Sequence, residues 1–213
     1  MFGDNTVAWV PGGIAPQLWL DAADDATLTL NSTSVSQWAD KSGFNRHATQ
    51  ANAANQPSAN PNALNGRRVL GFDGSNDFFS VNLDFLAGQS HSAFIVTKPT
   101  AFSNIYGAAS ANAGSRSLHV GFTNSNNYRV NFWANHYQPP ITGNFVAGAA
   151  SLLNDIWNPG SGKQILANGK TEGSSTTAGN IGTMAGGGRI VHTTAAPHSA
   201  FGGQIAAIVI FTG

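Results

Sequence analysis

Three short stretches constrain this chain most: Leu18-Trp19-Leu20-Asp21-Ala22, Trp38-Ala39-Asp40-Lys41-Ser42-Gly43 and Phe72-Asp73-Gly74-Ser75-Asn76-Asp77. Each sets a large apolar residue beside an aspartate and a turn former. Strand, polar turn, strand is the order of an antiparallel sandwich. Further strand signals lie at 68–72, 78–83, 94–97, 118–122 and 128–133. In the last of these, Tyr128, Val130 and Phe132 alternate with Arg129, Asn131 and Trp133, so one face is buried and the other half-polar. Gln164-Ile165-Leu166-Ala167 runs into Asn168-Gly169, a two-residue hairpin signal, because both residues tolerate the positive φ of such turns. Residues 205–211 are continuously apolar and read as a strand buried on both faces. The polar stretch 48–65, rich in Ala, Asn and Pro, reads as a long loop. No segment carries a helical period beyond a turn or two.

Composition excludes several classes of function. Charged residues are 9% of the 213 and the net charge is zero, against roughly 25% charged in an average soluble protein. No long-range field therefore steers the chain to nucleic acid or to an anionic membrane. Hydrophobic residues make up 41%, enough for a core, so the low charge is not a signature of disorder. Cysteine is absent, and a core of this size needs no disulfides. The longest apolar run, 205–211, is too short to span a bilayer. The amino end has no basic segment followed by an apolar one, so export by a secretory signal is not expected. Residues 1–13 read as an arm: Val7-Ala8-Trp9-Val10 is apolar and Pro11-Gly12-Gly13 is a hinge. Such an arm folds back on its own domain or docks on a neighbour.

The three opening stretches, a late Asn168-Gly169-Lys170 and a terminal Phe201-Gly202-Gly203-Gln204-Ile205 together resemble the laminin-G-like, concanavalin A-like jelly-roll family. The resemblance covers residues 14–213. It implies an all-β jelly-roll β-sandwich of two antiparallel sheets, preceded by the arm. It implies no single function, because that fold hosts many.

Glycoside hydrolysis needs two carboxyl groups, about 5 Å apart for retention or roughly 6.5–9.5 Å for inversion. The glycosidases of this fold place two Glu on one strand, and this chain has only Glu172. Asp21, Asp24, Asp25, Asp40, Asp73 and Asp77 all sit in turn-like contexts, where Asp caps backbone N–H groups. There is no Gly-x-Ser-x-Gly elbow, and Gly160-Ser161-Gly162-Lys163 lacks the spacing of a phosphate loop. The chain is therefore expected not to be an enzyme. For Ca²⁺, Asp73, Asn76 and Asp77 offer clustered oxygens, with Asp40 as a fourth; the competing reading is a capped β-turn. His192 and His198 flank residues 193–197 and offer a metal pair; the competing reading, which is favoured, is a loop with two exposed histidines. Sugar binding needs an aromatic face beside planar amides, and Trp133, Asn135, His136, Tyr137 and Asn127 supply both. Of Arg67-Arg68, one arginine is expected to pair with a nearby Asp.

Two functions follow. The first is a virion structural protein of a bacteriophage, a capsid decoration or head-fibre or tail component. Its arm residues Phe2, Val7, Trp9 and Val10 would contact other virion proteins or further copies of the chain in a homo-oligomer. The alternative is a non-catalytic, extracellular carbohydrate-binding module that recognises a bacterial surface glycan.

Overall fold

The computed structural model describes residues 13–109, 117–124, 126–132, 135–177, 181–182, 187–191 and 200–213. The expectations for Phe2, Val7, Trp9, Val10, Trp133, His192 and His198 fall outside the described residues. Among those described there are sixteen strands: β1 (Leu18–Asp21), β2 (Leu28–Asn31), β3 (Ser34–Trp38), β4 (Ala48–Thr49), β5 (Ser58–Leu64), β6 (Arg67–Asp73), β7 (Phe79–Val81) and β8 (His91–Ala101). They continue with β9 (Asn104–Ala109), β10 (Ser117–Asn124), β11 (Asn127–Phe132), β12 (Ser151–Asn158), β13 (Gly162–Ala167), β14 (Lys170–Ser175), β15 (Gly188–Ile190) and β16 (Gly202–Thr212). Three single 3₁₀ turns, at Asp25–Thr27, Ala53–Asn55 and Asp84–Leu86, lie between these strands.

The ladders form one path, β11-β10-β9-β15-β7-β4-β3-β5-β6-β16-β8-β12-β13-β14, and every pairing is antiparallel. It folds into two layers at the lone pair Ser34↔Ser58, where β3 meets β5. The layers face each other across one core. Phe72 of β6 packs edge-on against Phe79 of β7, ring centroids 6.3 Å apart. Tyr106 of β9 donates its hydroxyl to Asp155 of β12 at 2.9 Å. Trp38, Trp157, Tyr106, Tyr128, Phe79, Phe122 and Phe201 are fully buried between the layers. The all-β sandwich expected from the sequence is the observed architecture.

Alternation decides which side chains enter the core. In β8, His91, Ala93, Ile95 and Thr97 are buried while Phe94 faces out. β16 is the central strand. It pairs with β8 along its whole length, with β6 through residues 202–205, and with β1 through residues 207–210.

Two sequence expectations need correction. The stretch 48–65 is only in part a loop: β4 and the seven-residue β5 flank residues 50–57, which connect them through a 3₁₀ turn. In β5 the polar Ser58 and Asn60 flank Ala59, which turns to the core, while Gln50 and Gln56 of the connection are buried. β16 is not buried on both faces: Ile205, Ile208 and Ile210 enter the core, while Val209 and Phe211 are only half-buried. The Asn168-Gly169 hairpin stands as expected, with φ of 51° and 78°. The arginine pairing also holds: Arg68 Nε donates to Asp25 Oδ1 at 2.7 Å.

Candidate functional site

The aspartates of the three opening stretches are caps. Asp40 is buried and accepts from the backbone N–H groups of Trp19 (2.9 Å), Ser42 (2.9 Å) and Arg46 (3.0 Å). It therefore ties three turns together. Asp73 Oδ1 accepts from Ser75 N at 2.8 Å and Asn76 N at 3.2 Å, and Asp77 Oδ2 accepts from Asp73 N at 2.9 Å. Asn76 reaches away to the carbonyl of Ala54 and the side chain of Asn55. Asp73 and Asp77 meet in one turn, whereas Asp40 belongs to another. Among the described residues no three His, Cys, Asp or Glu side chains cluster as metal ligands. Burial, then the neighbouring Asp73 charge, pushes the Asp77 carboxyl above the ordinary carboxylate range, although its hydrogen bond from Asp73 opposes this.

The expected sugar residues Asn127, Asn135, His136 and Tyr137 do come together. Segment 135–140 lies antiparallel beside β11, with Val130 N donating to Tyr137 O and Tyr128 N to Pro139 O, each at 3.0 Å. Several of the polar atoms hold this ledge in place. Asn127 Nδ2 donates to Gln138 O at 3.2 Å. Asn135 accepts twice from Lys163 Nζ, at 2.6 Å on its carbonyl and 2.7 Å on Oδ1. Lys163 is almost wholly buried, which brings its ammonium down to about 8. The Tyr137 hydroxyl packs directly over Gly173 of β14, in the space a Cβ would occupy. His136 and Gln138 remain exposed at the tip.

Glu172, the sole glutamate, serves the same loop and no catalytic pair. Its carboxylate accepts from Thr142 N (2.7 Å), Thr142 Oγ1 (2.6 Å) and Asn144 Nδ2 (2.7 Å). Burial raises its pKa, but these donors outweigh burial and hold the carboxyl below its ordinary value of 4.5. A carboxyl with a depressed folded pKa stabilises the fold above its unfolded value and loses that contribution as pH falls through the folded value. Glu172→Gln is therefore expected to cost about 2 kcal/mol at pH 7. The difference from the parent should shrink below pH 4, as read by thermal melts across pH.

A second feature went unread in the sequence. On the outer face of the β5-β6-β16-β8 layer lies an open groove of about 530 Å³. One cross-strand row, Ser58↔Gly71↔Gln204↔Lys98, runs through it. Asn60 and Thr100 lie alongside, and Asp73 and Asp77 close one end. Glycines make its floor flat. A Cβ on Gly71 would stand 2.2 Å from Asn60 Nδ2 and 2.6 Å from Ser58 Oγ, so only glycine lets these two side chains cross the strand. A Cβ on Gly203, at φ +131°, would stand 2.4 Å from the carbonyl oxygen of Lys98. The side chains of Asn60, Lys98, Thr100 and Gln204 form no hydrogen bond or ion pair with other described residues. They offer amide, ammonium and hydroxyl groups from one face, a set suited to a ligand rich in hydroxyls. These residues come from three separate strands, so no local motif marks them. The available signal is alternation, which leaves polar residues between core positions of β5, β8 and β16.

No family model matches the chain, and no curated protein matches it. Solved structures do. Domain 4 of AbnA, a GH43 extracellular arabinanase from Geobacillus stearothermophilus solved in complex with arabinotriose, aligns with a TM-score of 0.61 at 13% identity, over 94% of this chain and 93% of that domain. The CBM40 of Ruminococcus gnavus IT-sialidase bound to alpha2,3 sialyllactose aligns with a TM-score of 0.53 at 13% identity, over 67% of this chain and 88% of that one. The binding domain of Botulinum neurotoxin serotype D aligns with a TM-score of 0.62 at 12% identity, over 93% of this chain but 47% of that one, so the chain spans about half its length. At such identities the likeness is one of architecture: the chain is an antiparallel jelly-roll β-sandwich, the fold shared by these three domains.

Proposed function

We propose that the chain is a non-catalytic carbohydrate-binding module whose sugar seat is the polar groove across β5, β6, β16 and β8. The observation that carries this reading is the convergence there of four hydrogen-bonding side chains, Asn60, Lys98, Thr100 and Gln204, with no partner among the described residues. Polar side chains left uncommitted on a rigid sheet are pre-organised for a ligand, so little ordering cost opposes binding. Two of the architectural neighbours, the AbnA domain and the CBM40, were solved with saccharides, and a third is the binding domain of a toxin, which supports the same reading.

The ledge of Asn127, Asn135, His136 and Tyr137 serves this reading as a second contact, through its exposed tip. The virion role rests on the apolar arm and the sequence resemblance alone, and it ranks below saccharide binding. The groove also speaks against hydrolysis as its task, because Asp73 and Asp77 are engaged by backbone N–H groups.

The test is a microarray of bacterial and plant saccharides probed with the intact chain, followed by product analysis on any hit. Retention of at least one oligosaccharide, with no cleavage over a day, is the expected outcome. A silent array from folded protein, or release of reducing ends from a retained glycan, would refute the proposal.

A further inference from the structure

The polar groove is not electrically uniform. Lys98 stands in the row of Ser58, Gly71 and Gln204, whereas Asp73 lies two residues further along β6, opposite Gly202. Two strand spacings and one two-residue step put their Cα atoms about 12 Å apart. That exceeds the screening length of about 8 Å at physiological ionic strength, so each end presents its own charge to a ligand. At the acidic end the charge is already answered by backbone. Asp73 Oδ1 accepts from the N–H groups of Ser75 and Asn76, and Asp77 Oδ2 accepts from that of Asp73. At the other end the Lys98 ammonium has no hydrogen bond or ion pair with other described residues.

The placement of Lys98 sets it apart from the other cations. Lys41 and Arg68 are answered by aspartates, Lys163 by Asn135 and Arg129 by Asn104, while Arg67 and Lys170 stand exposed at hairpins. Lys98 is half-buried, on a strand that lies between β16 and β12. Lysine on an edge strand guards against pairing with another chain, but β8 is no edge and needs no such guard. Lysine is also among the residues depleted from strands. A solitary ammonium in mid-sheet, at one end of a groove, fits an anionic group that arrives with the ligand.

We infer that the saccharide taken by this groove is acidic, with its carboxylate or sulfate on the Lys98 ammonium and its neutral rings lying toward Asp73. The inference rests on the reading of the groove as a saccharide seat, and it adds the charge and the direction of the ligand. The neighbours of Lys98 suit an anion. Gln204 lies directly opposite it on β16, and Thr100 lies two residues on along the same face. Their amide and hydroxyl hydrogens can be donated to oxygens that only accept. A lysine acts as a compact point charge with rotatable donors, so it serves a planar carboxylate and a tetrahedral sulfate alike. The chain has no net charge. No overall field draws an anion in, and discrimination must come from this one contact.

The test uses the intact chain and probes matched except in charge, with affinities read by titration calorimetry. The pairs are oligogalacturonate and its methyl ester, alginate oligomers and their carboxyl-reduced form, and dextran sulfate and dextran. The first two carry carboxylates and the third carries sulfate, so the pairs also tell the two anions apart. In at least one pair the acidic member should bind about tenfold more tightly, the usual worth of a hydrogen bond to a charged group. Lys98→Met should abolish that preference, and Lys98→Arg should keep most of it. Lys170→Met, at the Asn168-Gly169 hairpin, should leave it intact. If the methionine variant fails to fold, Lys98→Gln asks the same question. A neutral member that binds as tightly in every pair, or a preference that survives the loss of Lys98, would overturn the inference and leave the saccharide reading standing. Absence of binding by every probe would overturn both.

Discussion

Replacing Asp155 by alanine is expected to cost about 3–5 kcal/mol, the usual penalty for removing one partner of a buried polar pair. For a chain of this length that lowers the melting temperature by roughly 10 °C. Asp155 lies at the centre of the sandwich. Its Oδ2 is 3.0 Å from His91 Nε2, and both its oxygens accept from the Tyr106 hydroxyl, at 3.0 and 2.9 Å. The His91 and Asp155 side chains are 0% and 1% exposed. Alanine would leave a buried imidazole and a buried phenol without their shared acceptor, and neither can reach water. The triad also joins the layers, since β8 and β12 belong to one and β9 to the other. Asp155→Asn keeps the volume and one acceptor, so its loss should be about half that of alanine, read by the same melts. Burial, and then the Asp155 charge, pushes the Tyr106 phenol well above its ordinary value of 10.0. A phenol raised in the fold stabilises it below the unfolded value. That contribution is lost as pH climbs past 10, where the unfolded chain ionises.

The second large effect concerns binding. Asn60→Ala with Gln204→Ala removes two amides from the polar groove without touching the core. Each amide hydrogen bond to a hydroxyl is worth about 1 kcal/mol net, so the pair should weaken saccharide affinity by about 30-fold. The melting temperature should barely move, because both side chains lack partners among the described residues. Isothermal titration beside a thermal melt separates the two quantities. A loss of affinity matched by a loss of stability would point to unfolding. Unchanged affinity would remove the groove from the site. Gly71→Ala acts through shape alone, because its Cβ would displace the ends of Asn60 and Ser58. It should weaken binding less than the double variant.

How far the sequence could be read follows from the range of each interaction. Caps and hairpins are local. Asp73 and Asn168-Gly169 form contacts within a few residues, as does Asp40 with Ser42, and these roles were legible from neighbouring letters; the bond from Trp19 to Asp40, 21 positions away, was not. The stretch 48–65 was misread because polar alternation resembles a loop when the core-facing residues are as small as Ala59. β16 was misread in the opposite sense. Its outward residues are as apolar as its inward ones, and only the register shows that Phe211 stands beside Ser92 and Val209 beside Phe94. The ledge residues were found, but not the engagement of Asn135 by Lys163, which joins positions 28 apart. The polar groove was invisible for the same reason. Gln204 meets Gly71 and Lys98 only through a strand order that brings the end of the chain between β6 and β8.

The most direct test of the account is a titration of the ¹⁵N-labelled chain with an oligosaccharide retained on the array. Residues 58–60, 71–73, 98–100 and 203–204 should shift together and saturate with one binding constant, while the core amides around Asp155 stay fixed. Saturable shifts confined to other surfaces, with the amides of Gly71, Lys98 and Gln204 unmoved, would contradict it.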